Sequence, residues 1–254
     1  MAQLDVCQTM TKGCIYYTDN RAKEFILEAC RGQIKRAWQG KIISVSLAPV
    51  ELGQNIVLTG FERSYTTMVR QIIMGLEALD TDVVFFLEHD VLYHPSHFDF
   101  WPLKEEVYYY NTNNWRWGIK EDYAITYDNL KSLSQMCAYR KTVLKHYQAR
   151  LKYIEEKGLE KIPGRDPKWA RVMGFEPGTK PRRRGGFSDE ESGVWRSAFP
   201  NIDVRHRQTY SPPKYRLSDF THPPQNWRQV KINDIPYWNL RELHEEWIGQ
   251  YLIH

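Results

Sequence analysis

Along the first ninety residues, short apolar runs alternate with stretches whose apolar positions recur every three or four residues. Cys14-Ile15-Tyr16-Tyr17 is a β-prone run that closes on the polar Thr18-Asp19-Asn20, where Asp19 or Asn20 suits the N-cap of a following helix. From Arg21 to Trp38 the spacing of Ile26, Cys30, Ile34 and Ala37/Trp38 predicts that helix, ended by Gly40. Ile42 to Leu47 reads as a second strand and Asn55 to Leu58 as a third. Tyr65 to Leu79 reads as a helix with Met68/Val69, Ile72/Ile73, Leu76 and Leu79 on one face. Asp82 to Leu87 is almost continuously apolar, as a strand buried on both sheet faces should be, and it stops at Glu88-His89-Asp90. Strands and helices in this order predict an α/β chain with a Rossmann-like, mostly parallel sheet. Ligands of such sheets bind beyond the carboxyl ends of the strands, where both Thr18-Asp19-Asn20 and Glu88-His89-Asp90 fall.

Downstream the pattern loosens. Val107 to Tyr110 and Ala124 to Tyr127 read as strands around a polar, Trp-bearing segment from Asn111 to Lys120. A long helix is predicted from near Gln135 to Lys157, stopped by Gly158. Ile162 to Gly186 is rich in Pro, Gly and Arg and reads as a surface loop. A short helix is predicted from Ser188, a strand near Ile202 to His206, and a last helix from Asn239 to Leu252. The change of pattern near residue 130 divides the chain into halves, residues 1–130 and 131–254, within one continuous domain.

Composition changes this picture little. At 254 residues, with 42% hydrophobic and 26% charged residues, the chain has the make-up of an ordinary globular protein. No apolar stretch approaches the ~20 residues needed to span a bilayer, and the N-terminus lacks a basic-then-apolar leader, so a cytoplasmic location is expected. Cys7, Cys14, Cys30 and Cys137 show no CxxC spacing, which argues against a zinc knuckle or a disulfide framework. Charge is more informative: between Lys161 and Lys231 there are 15 Lys/Arg against 7 Asp/Glu, although the whole chain is only +4. The C-terminal third therefore suits an anionic partner such as a nucleotide diphosphate, a phosphorylated acceptor or nucleic acid.

The chemistry centres on Glu88-His89-Asp90. Alternation along a strand would turn Glu88 and Asp90 to one side and His89 to the other. Two carboxylates on one face repel unless a cation joins them, and Mg²⁺ or Mn²⁺ with oxygen ligands usually completes its shell with substrate phosphates. A solvated acidic turn is the bland alternative, against which the buried strand before it weighs. His94 and His97 offer an H-x-x-H pair, but with one acidic neighbour and no cysteine a zinc site there is the weaker reading.

Residues 14–90 resemble the nucleotide-binding half of GT-A glycosyltransferases, in which a D-x-D-type motif holds the metal that bridges the donor diphosphate. Ile15 to Asn20, Phe85 to Phe100 and Asn201 to His206 are more specifically similar to small bacterial and phage proteins of the family-2 type. The resemblance implies a metal-dependent, inverting transfer of sugar from a nucleotide-diphosphate donor, UDP-sugar favoured, to an acceptor hydroxyl. It implies Asp90 as direct metal ligand, Glu88 as a ligand through water or a ribose contact, and His206 as the residue completing the metal shell. Tyr17, Thr18, Asp19, Asn20, Arg63 and His89 would contact the donor. In Gly186 to Trp195 it implies that Glu190, or failing it Asp189, is the catalytic base; as a bare sequence feature this acidic cluster is a favourable first turn of a helix. Arg205, Arg207, Lys214 and Arg216 would neutralise the departing diphosphate. Arg182, Arg183 and Arg184 suit phosphate contacts, so the acceptor could be a glycan or, in host cytoplasm if the chain is phage-encoded, a hydroxymethylated DNA base that would have to be flipped or single-stranded. Two readings of other classes compete: a nucleotide-sugar hydrolase or nucleotidyltransferase sharing the metal site, and a non-catalytic nucleic-acid-binding protein.

Overall fold

The computed structural model describes residues 10–162, 167–179, 191–209 and 214–252. In order they form β1 (Lys12–Thr18), α1 (Glu24–Ala37), β2 (Lys41–Ser46), β3 (Gln54–Val57), α2 (Tyr65–Ala78), β4 (Val83–Glu88) and β5 (Val91–Leu92). Then come β6 (Val107–Asn111), β7 (Asn114–Gly118), β8 (Tyr123–Thr126), β9 (Met136–Tyr139) and α3 (Arg140–Glu156). The chain ends with α4 (Lys168–Met173), β10 (Glu191–Trp195), β11 (Asn201–Arg205), β12 (Arg228–Lys231) and α5 (Leu240–Leu252).

The larger sheet has the order β10-β6-β9-β4-β1-β2-β3. Strands β3, β2, β1 and β4 run parallel, β9 is antiparallel to β4 and β6, and β10 is parallel to β6. The chain is thus α/β with a Rossmann-like, mostly parallel central sheet, as the order of its first six elements predicted. Alternation divides each central strand between two apolar layers. Ile15, Tyr17, Val84 and Phe86 face α2 and α3, whereas Cys14, Tyr16, Val83, Phe85 and Leu87 face Ile34 of α1 and Phe98. Burying side chains such as Val69, Ile72 and Leu76 of α2 completely stabilises the packing by about 1.5–3 kcal/mol each. Gly75 lets α2 approach closely, since a Cβ there would sit 3.2 Å from Ile15 Cγ2.

The smaller sheet has the order β12-β8-β7-β11-β5. Its apolar face carries Trp115, Trp117, Ile202 and Val204 against Ile26 and Cys30 of α1 and Leu240 and Trp247 of α5. Strands from either side of residue 130 interleave: β9 lies between β4 and β6, and β11 lies between β7 and β5.

Several expected elements differ. The N-cap of α1 is Lys23, without a side-chain cap hydrogen bond, rather than Asp19 or Asn20. Asn20 adopts a left-handed backbone (φ 57°), and its Oδ1 accepts from Leu47 N and Ala48 N, tying the end of β1 to the end of β2. The segment Asn111 to Lys120, read as a polar connection, contains β7, because Trp115 and Trp117 bury one face while Arg116 occupies the other. The helix expected from Gln135 starts at Arg140; Met136 to Tyr139 is instead drawn into the sheet, where both neighbours supply backbone partners. Part of the expected loop after Ile162 forms α4. The short helix expected from Ser188 is absent from its described part, since 191–195 pairs with β6 as a strand. Among the described residues no helix is long and apolar enough to cross a membrane.

Candidate metal and donor site

The carboxyl ends of β1 and β4 lie side by side, since Tyr17 and Glu88 are register partners. The Tyr17 hydroxyl donates to the Glu88 carboxylate. After Glu88 the chain turns, so the strand alternation expected to align Glu88 with Asp90 ends there. The turn brings His89 and Asp90 together with His206, which follows β11. Val204 N donates to Asp90 O, which fixes β11 beside this turn.

His89, Asp90 and His206 form the group that could hold a metal among the described residues, with donor atoms within 4.8 Å of one another. Opposed ligands at ~2.1 Å from an ion would span about 4.2 Å, so a small contraction suffices. Asp90 Oδ2 and the buried His206 Nε2 are 3.3 Å apart. His206 Nδ1 lies 3.2 Å from both the amide N and Oε1 of Gln208. Gln208 N donates to Nδ1, so a neutral ring carries its proton on Nε2, facing the Asp90 carboxylate, and an ion bound between the two would displace that proton. The donor set therefore fits a divalent ion, and two imidazoles with one carboxylate favour a transition metal over Mg²⁺.

Electrostatics support a fixed charge at Asp90. Burial alone would raise its pKa, but the imidazoles of His206 and His89 and the Arg205 guanidinium outweigh burial and hold the carboxyl below its usual range. Glu88 goes the other way, pushed up to about 8 by burial and by the charge of Asp90. Burial also lowers His89, keeping a neutral imidazole available as a ligand.

A cleft with a cavity volume of about 90 Å³ opens beside this cluster, lined by Tyr17, Thr18, Asp19, Arg63, Glu88, His89 and Asp90 among others. Asp19 and Arg63 form a largely buried ion pair, and Asp19 Oδ1 also accepts from Arg21 N. Thr18 Oγ1 accepts from Asn20 N. Of the seven residues expected to contact the donor, Tyr17, Thr18, Asp19, Arg63, Glu88 and His89 line the cleft, while Asn20 anchors the adjoining loop. A second cavity of about 280 Å³ meets the first at Met68, Glu88, Asp90 and Thr209, and extends past Arg116, Asp203, Arg205 and Lys214.

Alternation along β11 puts Asp203 and Arg205 on the face opposite Ile202 and Val204. Arg205 Nη1 lies 3.1 Å from Asp203 Oδ1. Arg116 is the register partner of Asp203 on β7, with its Nε 3.5 Å from Asp203 Oδ2. Sequence reasoning missed Arg116 and Asp203, although Asn-Trp-Arg-Trp-Gly and Asn-Ile-Asp-Val-Arg both alternate apolar with charged side chains. Glu190, Asp189, Arg182, Arg183 and Arg184 lie outside the described residues.

His94 and His97 are accounted for by packing. His94 Nδ1 accepts from Ser96 N, while His97 is fully buried and pushed down to about 3 by that burial. The Asn111 and Asn201 side-chain amides lie 3.1 and 3.0 Å from His97 Nδ1. Cys14, Cys30 and Cys137 are buried free thiols.

No protein-family model matches the chain, and no curated protein matches it. Among solved structures the chain is similar to an active-site mutant of LgtC, with 13% sequence identity over 94% of this chain and 95% of that one, at a TM-score of 0.43.

Proposed function

We propose that this protein is a metal-dependent glycosyltransferase that takes a sugar from a nucleotide-diphosphate donor, with a UDP-sugar as the favoured donor. The observation that carries the reading is the convergence of His89, Asp90 and His206 at the ligand edge of a parallel sheet, beside the Asp19–Arg63 cleft. Asp19, with Thr18 and Tyr17 beside it, binds the nucleoside; a carboxylate there accepts hydrogen bonds from ribose hydroxyls or a base N–H. His89, Asp90 and His206 hold the ion, and Glu88 contacts donor or water next to them. The ion supplies charge neutralisation of the donor diphosphate. Arg205 and Lys214, which line the adjoining cavity, take up charge on the leaving diphosphate.

In the transfer, the acceptor oxygen bonds to the anomeric carbon, the bond from that carbon to the diphosphate oxygen breaks, and the hydroxyl proton passes to a carboxylate. Glu190, with Asp189 as second choice, is that base, and the product is inverted. Residues 1–130 then serve the donor and residues 131–254 the acceptor. Arg182, Arg183 and Arg184 contact acceptor or phosphate, and the acceptor is a glycan or a hydroxymethylated DNA base.

The test measures nucleotide release from a panel of nucleotide sugars with Mn²⁺, Mg²⁺ or EDTA, in the native protein and in Asp90→Ala. Metal-dependent release that the substitution abolishes, with the fold intact by circular dichroism, is the expected result. Unchanged release in a folded Asp90→Ala protein would overturn the assignment. Glu190→Gln is expected to lose transfer while retaining metal-dependent donor binding.

A further inference from the structure

Arg63 stands between the two edges of the cleft. It precedes Ser64, the N-cap of α2, and only 10% of its side chain is exposed. On one side its Nε forms the ion pair with Asp19 Oδ2, just past the end of β1. On the other its Nη2 donates to Gln208 O at 2.8 Å, in the turn that follows β11. The guanidinium therefore ties the larger sheet to the smaller one where their ligand edges meet.

From Gln208 the connection continues to the ion ligands. Gln208 N donates to His206 Nδ1, and His206 Nε2 lies 3.3 Å from Asp90 Oδ2. Thr209 N and Oγ1 both donate to His206 O, which closes the same turn. One residue thus carries two contacts: the Gln208 amide orients the His206 ring, and its carbonyl is held by Arg63. Asp19 is fixed from two sides as well, since its Oδ1 accepts from Arg21 N while Oδ2 faces Arg63. An unbroken series of polar contacts runs from Asp19 through Arg63, Gln208 and His206 to Asp90. Desolvation offsets much of the attraction in a largely buried ion pair. What this pair does fix is where the turn after β11 stands relative to the end of β1. A group that holds Asp19 in place therefore also holds Arg63, and through Gln208 the ring of an ion ligand. Groups that orient a ligating histidine from behind set how tightly the ion is held.

We propose that Arg63 is a positioning residue that couples nucleoside binding at Asp19 to ion binding at His206 and Asp90, so that each ligand tightens the other through the protein. The inference rests on the donor-site reading for the identity of the two ligands, but not for the contacts that join them. Arg63 acts through Gln208 and needs no contact with the donor. Linkage makes the effect reciprocal: the ion strengthens nucleoside binding by the same factor.

The test titrates Mn²⁺ by electron paramagnetic resonance with and without a nucleoside, using uridine, cytidine, adenosine and guanosine in turn. A nucleoside has no charge and no phosphate, so neither Coulomb attraction nor diphosphate ligation supplies a gain in Mn²⁺ affinity. In the native protein at least one nucleoside is expected to tighten Mn²⁺ about fivefold or more. In Arg63→Gln, folded by circular dichroism, the ratio of the two dissociation constants is expected to fall to near one. Taking the ratio removes any effect of the lost charge on Mn²⁺ alone. Arg63→Lys keeps a cation beside Asp19 without the planar fork that reaches both partners, so it is expected to recover little of the coupling. A ratio of one with every nucleoside in the native protein, or a ratio kept in Arg63→Gln, would overturn the proposal and leave the transferase reading to the nucleotide-release assay. Full retention in Arg63→Lys would assign the effect to charge and overturn the bridge. Arg63-dependent coupling in a protein that releases nucleotide from no nucleotide sugar would overturn the transferase reading instead.

Discussion

At Asp90 a carboxylate held ionised by its surroundings lies 3.3 Å from the buried Nε2 of His206, so the two groups already stand where ligands of one ion would. The turn after Glu88 also changes which neighbour of Asp90 is placed to ligate, since His89 shares the cluster and Glu88 is hydrogen-bonded to Tyr17. His89→Ala is therefore expected to weaken Mn²⁺ binding by tenfold or more, and Glu88→Gln by distinctly less, when titrated by electron paramagnetic resonance. The reverse order would return the site to a two-carboxylate arrangement. His97 makes a separate prediction at this scale. Its folded pKa is depressed to about 3, whereas an unfolded histidine titrates near about 6.5. Below about pH 6.5 the unfolded chain takes up a proton that the folded one refuses, so stability falls as pH drops, approaching about 1.4 kcal/mol per pH unit from this residue. Urea unfolding of the native protein and His97→Gln between pH 7 and pH 4.5 should show a shallower slope in the variant, whatever its stability at pH 7.

At the level of elements, the site depends on β1, β4 and β11 ending together, and packing behind the sheet keeps their ends in register. Gly75 is a sensitive point, because a side chain there meets Ile15 of β1 and Val45 of β2. Gly75→Val should cost about 1–3 kcal/mol of stability through overpacking, read as a lowered urea midpoint. The elements legible in the sequence were those whose own apolar pattern marks them: β1, α1, β2, β3, α2, β4, β6, β8, β11 and α5. The elements misread had short patterns whose outcome depended on a partner. Met136 to Tyr139 has no local reason to be a strand rather than the start of a helix, and pairing with β4 and β6 decides it. Glu191 to Trp195 is likewise recruited by β6, against an acidic cluster that favours a helix start on local grounds.

Across the molecule, the ligand set joins the β4–β5 turn to the end of β11, so metal binding should stabilise the whole fold rather than one loop. Mn²⁺ at about a hundredfold its dissociation constant is expected to add about 2.7 kcal/mol, seen as a higher Tm that Asp90→Ala removes. An unchanged Tm in the native protein would count against a built site. The sequence by itself determined that the chain is α/β, that its first sheet is largely parallel, and that Glu88-His89-Asp90 stands at that sheet's ligand edge. These follow from local periodicity, which an amino-acid string carries directly. The resemblance had already named His206 beside Asp90; the tertiary structure alone decided that His89 joins them, and that Arg116 pairs with Asp203 beside the same cavity. Contacts between residues far apart in sequence depend on strand order and register, and those are set by the collective burial of several apolar faces rather than by any one segment.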